Sequence, residues 1–443
     1  MQLNEIFACT LTLRLPYAII IIIQKNTFFE GVVIIMNKLI GNAVVGQSGG
    51  PTAAINATLA GVIKAAKNNR DAIKTLYGMR NGIEGLLAEN FVDLFALFDD
   101  EKNLTHLEHT PASALGSCRK KLPNVESDPD FYERLVAIFK KYDIRYFFYI
   151  GGNDSMDTVA KLDTFFENYN YDIRIIGIPK TIDNDLVITD HTPGFGSAAK
   201  YIATMTQEIL CDCAVYTLRA VTIIEIMGRD AGWLTASSAV GRAVCGREPD
   251  LVYLPEVTFD REKFISDVNK ALSKHSNVVV AVSEGIRDAD GNYIGASSGA
   301  TDVFGHKYLA GSGKTLELLV KKEIGCKVRS IELNLCQRCA SHVASKTDLA
   351  ESLSVGSHAV NTAVSGISGV VMTILRTSDD PYTVKYGMAR AEDIANKTKY
   401  VPREFINAEG NGVTDECIKY LLPLIKGEVE PEYKDGLPVH MVI

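Results

Sequence analysis

What is scarce in this sequence narrows its function before any motif is read. The apolar run Leu15–Ile23 is nine residues long, against the ~20 that a membrane-spanning helix needs. A proline opens it and no small-residue cleavage site follows, so a secretory signal is a poor reading. Residues 1–35 are therefore expected to be an extraneous or disordered leader, with Met36 as the functional start. Positive charge is not in excess: 46 Lys and Arg stand against 54 Asp and Glu, a formal charge of -8, which argues against a nucleic-acid partner. Nine cysteines form no small-domain framework, which fits reduced thiols and a cytoplasmic protein. The one CxxC, Cys336 and Cys339, has no second pair and reads as a strand or loop near the substrate. No GxGxxG follows the first strand, which excludes a generic dinucleotide-binding dehydrogenase. "AGSGKT" has a P-loop ending, but Tyr308 stands where the first P-loop glycine belongs.

What is present is an alternation. Apolar runs such as "GNAVVGQ", "YFFYIGG", "RIIGIPK", "VTIIEIMG" and "NVVVAVSEG" are interleaved with segments of helical period, among them "AAINATLAGVIKAAKN" and "DSMDTVAKLDTFFENY". This is the rhythm of a mostly parallel sheet covered by helices. Several runs end in a glycine turn that leads to a helix, the arrangement that places ligand groups at the carboxyl edge of such a sheet. Residues 198–210 read as an amphipathic helix bridging into a second domain.

Charged residues recur at those strand ends. "VGQSGGPTAAIN" puts Gly46, Gly49 and Gly50 between a strand and a helix, suited to close approach by phosphate. "LGSCRK" offers Arg119 as a phosphoryl clamp. "GGNDS" makes a second cradle at Gly152 but fills it with Asn153 and Asp154. A carboxylate there is unexpected, since like charges ~4 Å apart repel by ~4 kcal/mol at a surface-like dielectric. "PKTIDNDL" is the strongest local signal: Lys180, then Asp183, Asn184 and Asp185 after a buried strand. Clustered carboxylates cost energy unless they hold a cation, share a proton or act as base. "EIMGRDAGW", Glu284 in "SEG", and Arg329 and Arg338 complete a cleft rich in arginine and carboxylate, suited to phosphorylated sugars and Mg2+.

In this order, "SGGPTAAIN", "LGSCR", "GGNDS", "PKTIDND", "EIMGRDAGW", "SEG" and "QR" resemble the 6-phosphofructokinase family over nearly the whole chain after the leader. The resemblance implies an α/β fold of two similar Rossmann-like three-layer domains with mostly parallel sheets. It implies a phosphoryl-donor domain over 36–197 plus about 337–395, and a fructose 6-phosphate domain over 198–336 plus about 396–435. It implies Mg2+-dependent transfer to O1 of fructose 6-phosphate in glycolysis or gluconeogenesis, by a homo-oligomer, with a dimer favoured. Carried over by position, Asp183 is the base and Thr181 sits beside it. Asp185 holds Mg2+ through water, and Asn153 stands where many members carry a magnesium-binding aspartate. Gly49, Arg119 and Gly152 line the donor, while Met227, Gly228, Arg229, Glu284 and Arg338 hold the sugar phosphate. Arg329 resembles an arginine lent by a neighbouring subunit. ATP-using members resemble "GGDGS" and "PGTIDND"; Asp154 and Lys180 replace the two glycines that leave room for an α-phosphate. That pair implies pyrophosphate as donor, with Lys180 stabilising the leaving phosphate. The alternative is an ATP-dependent 6-phosphofructokinase that tolerates both substitutions. A catalytically silent regulatory subunit is disfavoured because Asp183 is present.

Overall fold

The computed structural model describes side chains for residues 39–295, 311–441 and 443, and backbone alone for three strands before them. Those strands, β1 (Thr10–Leu15), β2 (Ala18–Lys25) and β3 (Phe28–Met36), form an antiparallel meander that pairs with no other described strand. Five consecutive isoleucines, Ile19–Ile23, explain why this stretch is extended: β-branched side chains favour the pleated backbone.

The main body begins with β4 (Gly41–Gln47) and continues through β5 (Ile73–Met79), β6 (Phe91–Asp93), β7 (Ile144–Gly151) and β8 (Arg174–Pro179). A second group follows: β9 (Ala220–Ile226), β10 (Leu251–Tyr253), β11 (Asn277–Ser283) and β12 (Lys327–Glu332). The chain then returns to the first sheet as β13 (Val370–Asp379) and β14 (Tyr382–Arg390). The seven-stranded sheet has the order β14-β13-β8-β7-β4-β5-β6, parallel except for β6 and β14 at its edges. The four-stranded sheet, β10-β11-β9-β12, is parallel throughout.

The central strands β4, β7, β8, β9 and β11 are covered on two faces, which is why they are apolar almost without interruption. In β4, Ala43 and Val45 enter one core with the helix α1 (Ile55–Asn68), while Val44 enters another with α2 (Asn153–Glu167). In β9, Ile224 and Ile226 pack toward α3 (Phe195–Ala214), and Val221 and Ile223 toward the opposite layer. The segment expected to bridge the domains lies within α3. Its N-terminus is capped by Asp348, on the helix α4 (Lys346–Val364), whose carboxylate accepts from the Gly194 and Ser197 amides at 2.9 Å. This α/β architecture of two covered, mostly parallel sheets is the fold class expected from the alternation of strand and helix.

Candidate active site

In the larger sheet the chain runs from β4 outward through β5 in one direction and through β7, β8 and β13 in the other. The reversal falls between β4 and β7, and loops diverging from their carboxyl ends leave a crevice there. Register aligns the ends of three adjacent strands. Gln47 pairs with Ile150, and Gly151 with Pro179. The residues that follow, Ser48–Gly50, Gly152–Asp154 and Lys180–Asp185, therefore emerge side by side. In the smaller sheet Ile226 pairs with Ser283, so Met227 and Glu284 also leave as neighbours. The two sets face one cleft of about 410 Å³.

The walls of that cleft include Gly49, Arg119, Gly152, Asn153, Asp154, Lys180, Thr181, Asp183, Asp185, Met227, Arg229, Glu284 and Arg338. Gly228 stands between Met227 and Arg229 with φ +123, a backbone region that favours glycine. Arg329 lies outside the cleft, exposed on β12 at the edge of the smaller sheet.

The first cradle is held open by its own backbone. Gly49 has φ +75; its N–H donates to the Cys118 carbonyl at 3.0 Å, and Ser117 Oγ donates to its oxygen at 2.6 Å. These bonds tie the "LGSCR" segment, and hence Arg119, to the glycine turn. Lys180 is buried and its Nζ donates to the Gly50 carbonyl at 2.5 Å. Burial lowers its pKa to about 8. A Cβ on Gly50 would stand 3.1 Å from Arg338 Nη1. Arg338 thus reaches the Gly49–Gly50 turn, with Arg119 and Asp183 as its charged neighbours. Three cations converge where an anionic phosphate chain would lie.

The second cradle is the N-terminus of α2, where backbone N–H groups and the helix dipole favour an anion. Asp154 occupies its first turn and pairs with Lys121 Nζ at 2.9 Å. Ser48 and Ser155 are hydrogen-bonded across the two turns, and a Cβ on Gly151 would overlap both side chains.

The "TIDND" turn carries the acidic chemistry. Asp183 N donates to Thr181 Oγ1 at 3.1 Å. Enclosure, then the Asp185 and Glu284 charges, raise the Asp183 pKa, with Lys180 and Arg229 pulling against them. Asn184 is buried at φ +53, held by Tyr420 Oη and Lys399 Nζ, each at 3.1 Å. Asp185 Oδ1 and Asn153 Oδ1 are both shielded from solvent with no hydrogen-bond partner among the described residues. Asn153 and Asp185 both line the cleft, and two such orphaned oxygens would suit a hard cation that keeps most of its water and phosphate ligands, as Mg2+ does.

On the side of the smaller sheet, burial raises the Glu284 pKa while Arg229 and the Gly228 amide pull it down. Arg229 Nε is buried without a hydrogen-bond partner among the described residues. Gln337 Oε1 accepts from the Met227 amide at 3.1 Å. Ser48, Ser155, Asp230 and Gln337 lay inside the motifs but carried no expected role; all contribute here, Asp230 as an ion-pair partner of Arg287. Thr398 and Lys399 lay outside every motif, and no local pattern marks them.

The CxxC is not the strand or loop expected: Cys336 and Cys339 are free thiols in a four-residue helix that also carries the cleft residue Arg338. The "GSGKT" helix starts at Ser312, and its Gly313 amide already donates to Glu225 Oε2 at 2.5 Å; Tyr308 lies outside the described residues. No helix among the described residues is long and apolar enough to cross a membrane.

Comparison with known proteins adds a lineage to this geometry. The family profile described as Phosphofructokinase matches residues 42–363. A protein of Halomonas elongata named pyrophosphate--fructose 6-phosphate 1-phosphotransferase is 44% identical over 399 residues, covering 90% of this chain and 94% of that protein. One of the same name from Methylococcus capsulatus is 42% identical, covering 91% and 96%. The crystal structure of a pyrophosphate-dependent phosphofructokinase from Nitrosospira multiformis superposes with a TM-score of 0.81 at 41% identity, covering 91% of this chain and 96% of that one.

Proposed function

This chain belongs to the phosphofructokinase family, and from that premise we propose that it moves a phosphoryl group from inorganic pyrophosphate to O1 of D-fructose 6-phosphate. The products are fructose 1,6-bisphosphate and phosphate, and the reaction is reversible. The observation that carries the choice of donor is Asp154 and Lys180 on adjacent strand ends, facing the same cleft as Gly49, Arg119 and Asp183. Relatives of more than 40% identity that bear the pyrophosphate name support it.

In this reading, Asp183 accepts the O1 proton as the sugar oxygen attacks the nearer phosphorus, and the P–O bond to the departing phosphate breaks. Lys180, Arg119 and Arg338 face the charge that develops on the leaving group. Lys180 is already placed by Gly50, so little reorganisation is needed. Asp154 stands where a longer nucleotide would continue. Lys121 offsets part of its charge, so exclusion rests first on occupied space and second on repulsion. Met227, Gly228, Arg229 and Glu284 form the sugar side of the cleft, and Arg329, at an exposed edge, serves the sugar phosphate of a neighbouring copy in a homo-oligomer, a dimer being favoured. Asp185 and Asn153 would hold Mg2+, which supplies charge neutralisation to the donor phosphates when bound. The larger sheet is then the donor domain and the smaller the sugar domain, and the place of work is the cytoplasm.

Turnover of the purified chain with pyrophosphate and with ATP, at matched Mg2+ and fructose 6-phosphate, tests the proposal. Pyrophosphate is expected to support turnover at least 10²-fold faster than ATP; a preference for ATP would overturn it.

A further inference from the structure

Residues 397–399 carry none of the motifs and lie beyond the stretch matched by the family profile. They nevertheless touch three of those motifs. The Asn153 amide nitrogen donates to the Lys397 carbonyl at 3.1 Å. The Lys399 N–H donates to the Asp185 carbonyl at 2.7 Å, and its Nζ donates to Asn184 Oδ1 at 3.1 Å and to the Thr189 and Asp190 carbonyls at 3.2 and 2.7 Å. Trp233, from "GRDAGW", donates its indole N–H to the Lys399 carbonyl at 3.0 Å, and the ammonium lies 5.2 Å from its ring centre. Thr398, between the two lysines, lines the cleft.

The bonds to Asn153, Asn184 and Asp185 bear directly on the motifs of the cleft. An amide whose nitrogen is tied to Lys397 turns its oxygen the other way, and Asn153 Oδ1 is indeed shielded, with no hydrogen-bond partner among the described residues. Asn184 has φ +53, a conformation that a non-glycine residue keeps only when its surroundings hold it. Its side chain is gripped at both ends, by Lys399 and Tyr420. That residue sits between Asp183 and Asp185, so its conformation sets the direction of both carboxylates.

We propose that residues 397–399 are a strap that positions the transfer machinery, with Lys399 as the positioning residue for the Asp183–Asp185 turn and the Lys397 carbonyl as the one for Asn153. The inference rests on the phosphoryl-transfer reading above. It adds residues of the carboxyl-terminal quarter that touch no reacting atom and act only through the turn. Because the strap is also bonded to Trp233, it links the donor side of the cleft to the sugar side.

The test is a comparison of wild type, Lys399→Met and Asn184→Gly by steady-state kinetics across a Mg2+ titration, with the folded fraction measured for each. Glycine at 184 accepts the positive φ without strain and removes both side-chain ties. Displacement of reacting groups by an ångström costs on the order of 10²-fold. Lys399→Met is expected to lower kcat by about 10- to 100-fold and to raise the Mg2+ concentration for half-activity, with KM for fructose 6-phosphate changed less than about 3-fold. Asn184→Gly should do the same. A merely structural loss would lower the active fraction and leave Mg2+ half-saturation unmoved, and that result overturns the proposal. So does a folded Lys399→Met with wild-type kcat. Should Lys399→Met fail to fold, Asn184→Gly decides on the same criteria. Wild-type turnover with pyrophosphate in the same assay separates the two claims: its absence sinks the donor assignment, whereas unimpaired variants of an active wild type sink the strap alone.

Discussion

In the proposed reading Asp154 and Lys180 do different work at neighbouring strand ends, so their substitutions should separate. Asp154→Gly removes the occupied volume and the Lys121 ion pair together, so ATP turnover should rise while pyrophosphate turnover changes little. Lys180→Gly removes a buried cation held on the Gly50 carbonyl. It should lower the pyrophosphate rate by 10²–10³-fold, the usual cost of one such contact. Rates and apparent affinities for both donors across the two single variants and the double variant check this; an Asp154→Gly protein with no gain in ATP binding would refute the gate. Asp183→Asn keeps the shape of the turn but cannot take a proton. Its kcat should fall 10²–10⁴-fold with a smaller change in KM. Near-normal turnover in the folded variant would remove Asp183 from the chemistry.

At the scale of elements, α1 and α4 approach closely enough that two glycines are required. A Cβ on Gly61 would meet the Leu353 backbone, and one on Gly356 would meet the Thr58 carbonyl. Glycine to alanine in a helix ordinarily stabilises by ~1 kcal/mol. Here Gly61→Ala and Gly356→Ala should each destabilise, by about 1–3 kcal/mol, because overpacking forces the helices apart; urea unfolding gives the sign directly. A second device lies behind the "TIDND" turn. His191 is buried between Asp190 at 2.8 Å and Glu351 at 2.6 Å. Burial opposes its charge, but the two carboxylates outweigh burial and hold its pKa above 6.5. A raised folded value means that this stabilisation is complete below about pH 6.5 and is lost as pH rises through the folded pKa. The urea midpoint of the wild type should therefore fall as pH rises from about 6.5, and His191→Gln should show a shallower fall. Equal slopes would assign the dependence to other groups.

Across the whole molecule, the site belongs to neither sheet alone. The larger sheet contributes the two cradles and the acidic turn; the smaller contributes Met227, Arg229 and Glu284. The strands β1–β3 pair with neither sheet, so a protein beginning at Met36 is expected to fold and to retain full turnover. Insolubility or loss of activity in that truncated protein would show that the leader is needed.

The strand ends and their chemistry were legible in the sequence because each motif is local: a buried apolar run, a glycine turn, then charged residues within a few positions. Parallel strands that share a carboxyl edge must bring such turns together, so the turns after β4, β7, β8, β9 and β11 were expected at one cleft and line it, whereas Arg329, expected there as well, lies outside it. The contacts that orient those residues were not legible. Lys121 meets Asp154 across 32 intervening positions, and Lys399 meets Asn184 across more than 200, with no pattern at the lysine end. The reach of Arg338 to Gly50, and the two orphaned oxygens of Asn153 and Asp185, exist only once the sheets are packed. Local sequence sets which chemistry is available, because backbone turns depend on near neighbours. Tertiary packing alone decides which charge faces which, because Coulomb and hydrogen-bond energies depend on distance in space and not along the chain.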